Sequence, residues 1–273
     1  MKNMLSNFLA TIAVFSGLAS SFGAQAQSGN DDANRYGKCV DTAERAPDRG
    51  INLALEWQLE GGGVPARHCE ALGLFFAGEY SEAAIRLENL ADDMRIGRGM
   101  PLRGDERSTA TASMLADTYR QAANAWLKGD ELERAEAAIG QALALVPEKS
   151  ALEDSIREDH AYIAAAEGDY QLALEELDFV YRRNRQRTDL LLFIASAARA
   201  LENYAQAETS LNQYIEAFPS DPSAFLELGN LKDATGDRTA ARSAWLKVLS
   251  ISEVGPDADA ARANLERIDV AKN

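Results

Sequence analysis

The stretch Gly168-Asp169-Tyr170-Gln171-Leu172-Ala173 decides the fold, because close variants of it recur along the chain. Gly78-Glu79-Tyr80 leads to Ala83, Glu202-Asn203-Tyr204 to Ala207, and Gly236-Asp237-Arg238 to Ala241. A looser copy, Asp130-Glu131-Leu132, leads to Ala135. The last three anchoring alanines lie 34 residues apart, at 173, 207 and 241, and the preceding interval is 38. A constant period near 34 residues is the signature of helix pairs stacked in series.

Each unit reads as two amphipathic helices joined by a tight turn. In the fourth unit Leu191, Ile194, Ala195 and Ala198 recur at helical spacing before the turn, and Ala207, Leu211, Tyr214 and Ile215 after it. Pro219 then stops the second helix, since proline has no amide to donate and disfavours helix at the residue before it. Small residues such as Ala195 and Ala207 suit close helix contacts, and Leu211 and Tyr214 fill the space beyond. The second unit carries Ala123, Trp126, Ala135, Ile139, Ala142 and Pro147. The third carries Ala161, Ala173, Leu177 and Val180, with Arg185 in place of the closing proline. The fifth carries Phe225, Leu228, Gly229, Ala241, Trp245 and Val248, and the first carries Ala71, Leu74, Ala83, Leu87 and Leu90.

This pattern resembles the tetratricopeptide repeat. The resemblance covers residues 64–252 and implies an all-α fold, a right-handed α-solenoid of about five such helix pairs. Stacked repeats need capped ends. Residues 38–63 read as an N-terminal helical cap ending at Gly61-Gly62-Gly63, and residues 257–270 as a C-terminal capping helix. The latter follows Pro256 and opens with Asp257 and Asp259, acids that suit the positive end of a helix dipole. Residues 27–37 are polar and rich in Gly, Asn and Asp, and are expected to be disordered.

The first 26 residues read as a bacterial-type export signal. Lys2 supplies positive charge, Phe8 to Ala19 an apolar run, and Ala24-Gln25-Ala26 a cleavage site after Ala26. The apolar run is short of the roughly 20 residues that span a bilayer. The expected mature chain therefore begins at Gln27, in the periplasm or beyond, with no stable membrane insertion. An oxidising compartment favours pairing Cys39 with Cys69. Two cysteines so far apart lack the ligand spacing of a metal site, and His68 is expected to be a surface residue at a helix start.

Losing Lys2 moves the formal charge from −15 to −16. An acidic chain is a poor match for nucleic acid or an anionic membrane, and favours solubility and basic partners. The run Arg182-Arg183-Asn184-Arg185-Gln186-Arg187 is the exception. It reads either as an anionic docking patch or as a solvated helix end whose cations offset the dipole. The Gly- and Pro-containing stretch from Arg95 to Arg107 reads as a loop that widens one interval to 52 residues, from Ala83 to Ala135. It is either a contact loop or a tolerated insertion.

No G-x-S-x-G, H-E-x-x-H or phosphate-cradling Gly-Lys-Ser/Thr stretch is present, so neither enzymatic activity nor a cofactor is expected. His160 falls at a core-facing position of the third unit. The resemblance implies a concave groove lined by the first helix of each repeat. It places Arg120, Asn124, Tyr162, Leu192, Phe193 and Arg199 on that face. Some family members grip a peptide's terminal carboxylate with a cation and asparagines on successive repeats. Arg120 and Asn124 match the first such repeat, but Glu158 and Asp159 replace the donors of the next and argue against that grip.

Leu192 and Phe193 read either as an apolar anchor in the groove or as packing across to the next unit. The leading expectation is a scaffold that holds a peptide or helix of an envelope protein in the groove. A small-ligand or cell-wall-fragment binding module, and an architectural subunit of an envelope complex, are the alternatives.

Overall fold

A computed structural model describes residues 27–103 and 106–270, in thirteen α-helices. The expected export signal and its cleavage position after Ala26 lie outside the described residues. The chain divides into two compact units, one running to Asp159 and the other starting at His160.

The N-terminal unit holds α1 (Gln27–Arg45), α2 (Pro47–Leu59), α3 (Gly63–Phe76), α4 (Tyr80–Arg95), α5 (Ala112–Lys128), α6 (Leu132–Leu145) and the first part of α7 (Ala151–Glu167). Between α4 and α5 lie two short antiparallel strands, β1 (Leu102–Arg103) and β2 (Glu106–Arg107). Helix α1 takes in residues 27–37, where composition alone led us to expect disorder. Tyr36 and Cys39 explain the difference, since both are buried and tie the polar helix to the fold. Helices α1 and α2 cross closely enough that a side-chain carbon added to Gly50 would meet Ala43 Cβ at 2.6 Å. Cys39 and Cys69 form a disulfide between α1 and α3, with Cα atoms 6.1 Å apart.

The C-terminal unit holds the rest of α7, α8 (Tyr170–Arg183), a 3₁₀ turn at Thr188–Leu190, α9 (Leu191–Ala200), α10 (Tyr204–Ala217), α11 (Pro222–Ala234), α12 (Arg238–Ile251) and α13 (Pro256–Val270). One apolar cluster gathers Ala173, Leu177, Leu191, Ile194, Ala207 and Leu211, and a second gathers Trp245, Val248, Ala261 and Ile268. Gly229 packs against the Trp245 indole, and a side-chain carbon there would fall 2.2 Å from Nε1. This close approach is why the fifth repeat carries glycine at that position.

The recurring motif works the same way at every turn. Its first residue adopts a left-handed backbone, with φ of 85° at Gly78, 59° at Asp130, 89° at Gly168, 60° at Glu202 and 86° at Gly236. The amide of the next residue then reaches back five positions, as in Asp169 N to Ala164 O at 2.8 Å and Asn203 N to Ala198 O at 2.8 Å. This closes the carbonyls that a helix end leaves open. The anchoring alanines Ala83, Ala135, Ala173, Ala207 and Ala241 are all buried.

Candidate functional site

The N-terminal unit carries a chain of buried polar side chains on first helices. Tyr36 of α1 bonds His68 of α3 through Nδ1 at 2.7 Å, and His68 Nε2 meets Gln121 Oε1 of α5 at 2.7 Å. Gln121 Nε2 donates to Asp117 Oδ2 at 2.9 Å. Asp117 Oδ1 accepts from Arg120 Nε and Nη2 at 3.0 and 2.9 Å. Arg120 Nη1 and Asn124 Nδ2 both donate to Asp159 Oδ2 of α7, at 3.0 and 2.7 Å.

The direction of each bond follows from this order. Because Gln121 spends its amide nitrogen on Asp117, its oxygen faces His68 and accepts the Nε2 proton. His68 Nδ1 then accepts from the Tyr36 hydroxyl. Burial holds the His68 imidazole below its ordinary pKa, against the opposing effects of Gln121 and Asp117, so the neutral ring fits. Burial also raises Tyr36, helped by the Asp117 charge. It raises Asp159 too, against the pull of Arg120 and Asn124. For Arg120 burial works downward, but Asp159 and Asp117 outweigh it and leave the guanidinium raised.

The structure thus corrects the reading of His68 as a surface residue. It is 7% exposed and sits between two helices that are distant in sequence. Tyr36, Asp117, Gln121 and Asp159 complete the network. Asp159 was expected at the groove, but no local signal links Tyr36 or His68 to it. Arg120 and Asn124 do come together, and both turn inward onto Asp159. The carboxylate expected to repel a ligand is their partner. Asn124 is 3% exposed, and its Oδ1 has no hydrogen-bond partner.

The C-terminal unit presents a different surface. Tyr162 of α7 and Phe193 of α9 are half-buried and pack with ring centroids 4.9 Å apart at 53°. Arg199 Nε donates to Glu227 Oε1 at 2.5 Å. Glu227 is 1% exposed, and burial raises its carboxyl against the counter-pull of Arg199. Leu192 does not join this surface. At 4% exposure it belongs to the core. The 3₁₀ turn leads into α9, and this helix packs against α8, α10 and α11, so its buried arc is wider than one amphipathic face. His160 is also buried, with Nδ1 3.0 Å from Glu176 Oε1.

The arginines of the basic run have local partners. Arg182 pairs with Asp178 at 3.2 Å and Arg187 with Asp189 at 2.7 Å. Arg183 lies over the Phe179 ring and Arg185 over Tyr181. These contacts favour the helix-end reading over the docking patch.

Residues 164–231 match the family model described as tetratricopeptide repeat. No curated protein matches the sequence. Among solved structures, PilF of Pseudomonas aeruginosa aligns with 89% of this chain and 98% of its own, at 13% identity and a TM-score of 0.62. A putative kinesin light chain of Podospora anserina with nearly identical TPR-like repeats aligns with 68% of this chain and 93% of its own, at 19% identity and a TM-score of 0.55. YrrB, a TPR protein with an unusual peptide-binding site, aligns with 80% of this chain and 96% of its own, at 16% identity and a TM-score of 0.53. At these identities the likeness is one of fold: an all-α solenoid of the tetratricopeptide type.

Proposed function

We propose that this chain, a tetratricopeptide-repeat protein with its family match at residues 164–231, is an exported scaffold that binds a peptide or helix of an envelope protein. The fold is one used for protein–protein interaction. The observation that carries the finer reading is the Tyr162–Phe193 pair, two half-buried aromatic rings in contact, with Arg199 held on the following turns of α9. Aromatic and arginine side chains are the usual centres of binding energy at protein interfaces. YrrB, one of the similar folds, is a TPR protein with an unusual peptide-binding site.

Export is supported by the leader-like residues 1–26 and by the Cys39–Cys69 disulfide, which suits an oxidising compartment. Among the described residues no helix is long and apolar enough to cross a membrane.

The test is crosslinking in intact cells, then affinity capture of the tagged protein, comparing wild type with Phe193→Asp. Loss of a hot-spot ring corresponds to at least ~2 kcal/mol, roughly 30-fold in affinity. We expect a reproducible envelope partner that disappears in the variant while the melting temperature holds. The same partner captured equally by both proteins would overturn the assignment to Phe193. No partner above background would overturn the scaffold reading.

A further inference from the structure

The polar network of the N-terminal unit engages each donor nitrogen of Arg120, Gln121 and Asn124 and leaves acceptors over. Arg120 places Nε, Nη1 and Nη2 on Asp117 and Asp159. Asn124 Nδ2 is held by Asp159, and Gln121 Nε2 by Asp117. Two acceptors remain on residues already bonded to each other. One is Asn124 Oδ1, which is buried and has no partner. The other is Asp159 Oδ1, since both bonds to that carboxylate fall on Oδ2. An acceptor withheld from both water and protein is unfavourable, and a donor placed there relieves it.

Formal charge points the same way. Asp117 and Asp159 stand against the single positive charge of Arg120, and Glu158 is close enough to act on Asp159. Neither consideration suits a carboxylate, which would meet acceptors and like charge.

We infer that Asn124 and Asp159 form a subsite for a cationic donor, a lysine or arginine side chain of the bound segment. This rests on the proposed peptide-binding function and names the chemistry of its partner. The donor bridges Asn124 Oδ1 and Asp159 Oδ1, completing the valences that the network leaves open. Arg120 is a positioning residue here: it holds the Asp159 carboxylate and does not touch the ligand.

The probes are four pools of twelve-residue peptides, each with a fixed central Lys, Arg, Gln or Glu and random flanks, with binding read at constant salt. We expect the Lys and Arg pools to bind at least tenfold better than the Glu pool. An acidic protein prefers basic peptides in any case, so the decisive comparison uses Asn124→Ala, which leaves the charge unchanged. The preference should fall to within twofold in that variant. Asn124→Leu, closer in shape to asparagine, serves in its place if the alanine variant does not fold.

If the preference persists undiminished in the Asn124 variant, bulk charge explains it and the subsite is wrong. Pools that bind equally, or a preference for Glu, also overturn it while leaving peptide binding intact. If no pool binds, the proposed function itself fails, and the subsite with it.

Discussion

The N-terminal and C-terminal units are built on the same turn but secure it by different means. In the C-terminal unit the second residue of each motif is Asp169, Asn203 or Asp237, and each side chain accepts a hydrogen bond from the amide three residues on. In the N-terminal unit the same positions hold Glu79 and Glu131, which make no such cap. The extra methylene of glutamate does not suit the geometry that short acceptors fill. What the N-terminal unit lacks locally it has at long range, in the Cys39–Cys69 disulfide and the network from Tyr36 to Asp159. The difference shows that a regular repeat can be secured turn by turn, whereas an irregular one draws on bonds between distant segments.

Several substitutions test this contrast. The largest effect should come from Arg120→Met, which leaves Asp117 and Asp159 buried without their counter-charge. Breaking a buried pair from one side costs about 3–5 kcal/mol in urea unfolding. Arg199→Met strands only Glu227 and should cost less. Equal losses would mean that the extent of the network does not matter.

Replacing both cysteines with serine should cost the N-terminal unit roughly 3–4 kcal/mol, the value the chain-entropy model gives for a loop of about 30 residues. Amide exchange of α1 and α2 against that of α11 and α12 would show whether the loss stays in that unit.

Acid should also act on the N-terminal unit. His68 binds its proton less readily when folded than when unfolded, so the unfolded chain takes up more protons as pH falls through the ordinary histidine range. The stability from neutral His68 is therefore complete above about pH 6.5 and declines below it. Melts from pH 7.5 to 5 should show this slope in wild type and a flatter one in His68→Gln.

Two smaller changes address the caps. Asp169→Ala should cost about 1 kcal/mol, and Glu79→Asp should recover a few tenths to ~1 kcal/mol by supplying the missing cap. If Glu79→Asp is neutral, the contrast between the units does not lie in their caps.

What was legible in the sequence was local. The turn, its left-handed residue and the anchoring alanine all lie within six residues, so five degenerate copies were enough to find them. Leu192 stayed open between groove and core because burial of α9 depends on three neighbouring helices, and helical spacing within one segment does not report them. His68 was misread because its partners lie 32 and 53 residues away. The inward turn of Arg120 and Asn124 was hidden for the same reason. The resemblance placed them on the groove face, and only the packed structure brings Asp159 against them. Residues 27–37 looked disordered because their composition was weighed without the buried tyrosine that anchors them.

The disulfide also has a mechanical meaning. A force drawing on the chain from the N-terminal side of Cys39 passes through the sulfur atoms to Cys69, so the segment between them is hidden length. Those residues, α2 among them, bear no tension until the bond is reduced. At ~3.4 Å per extended residue the withheld contour is roughly 100 Å, a step that should separate oxidised from reduced molecules in single-molecule extension.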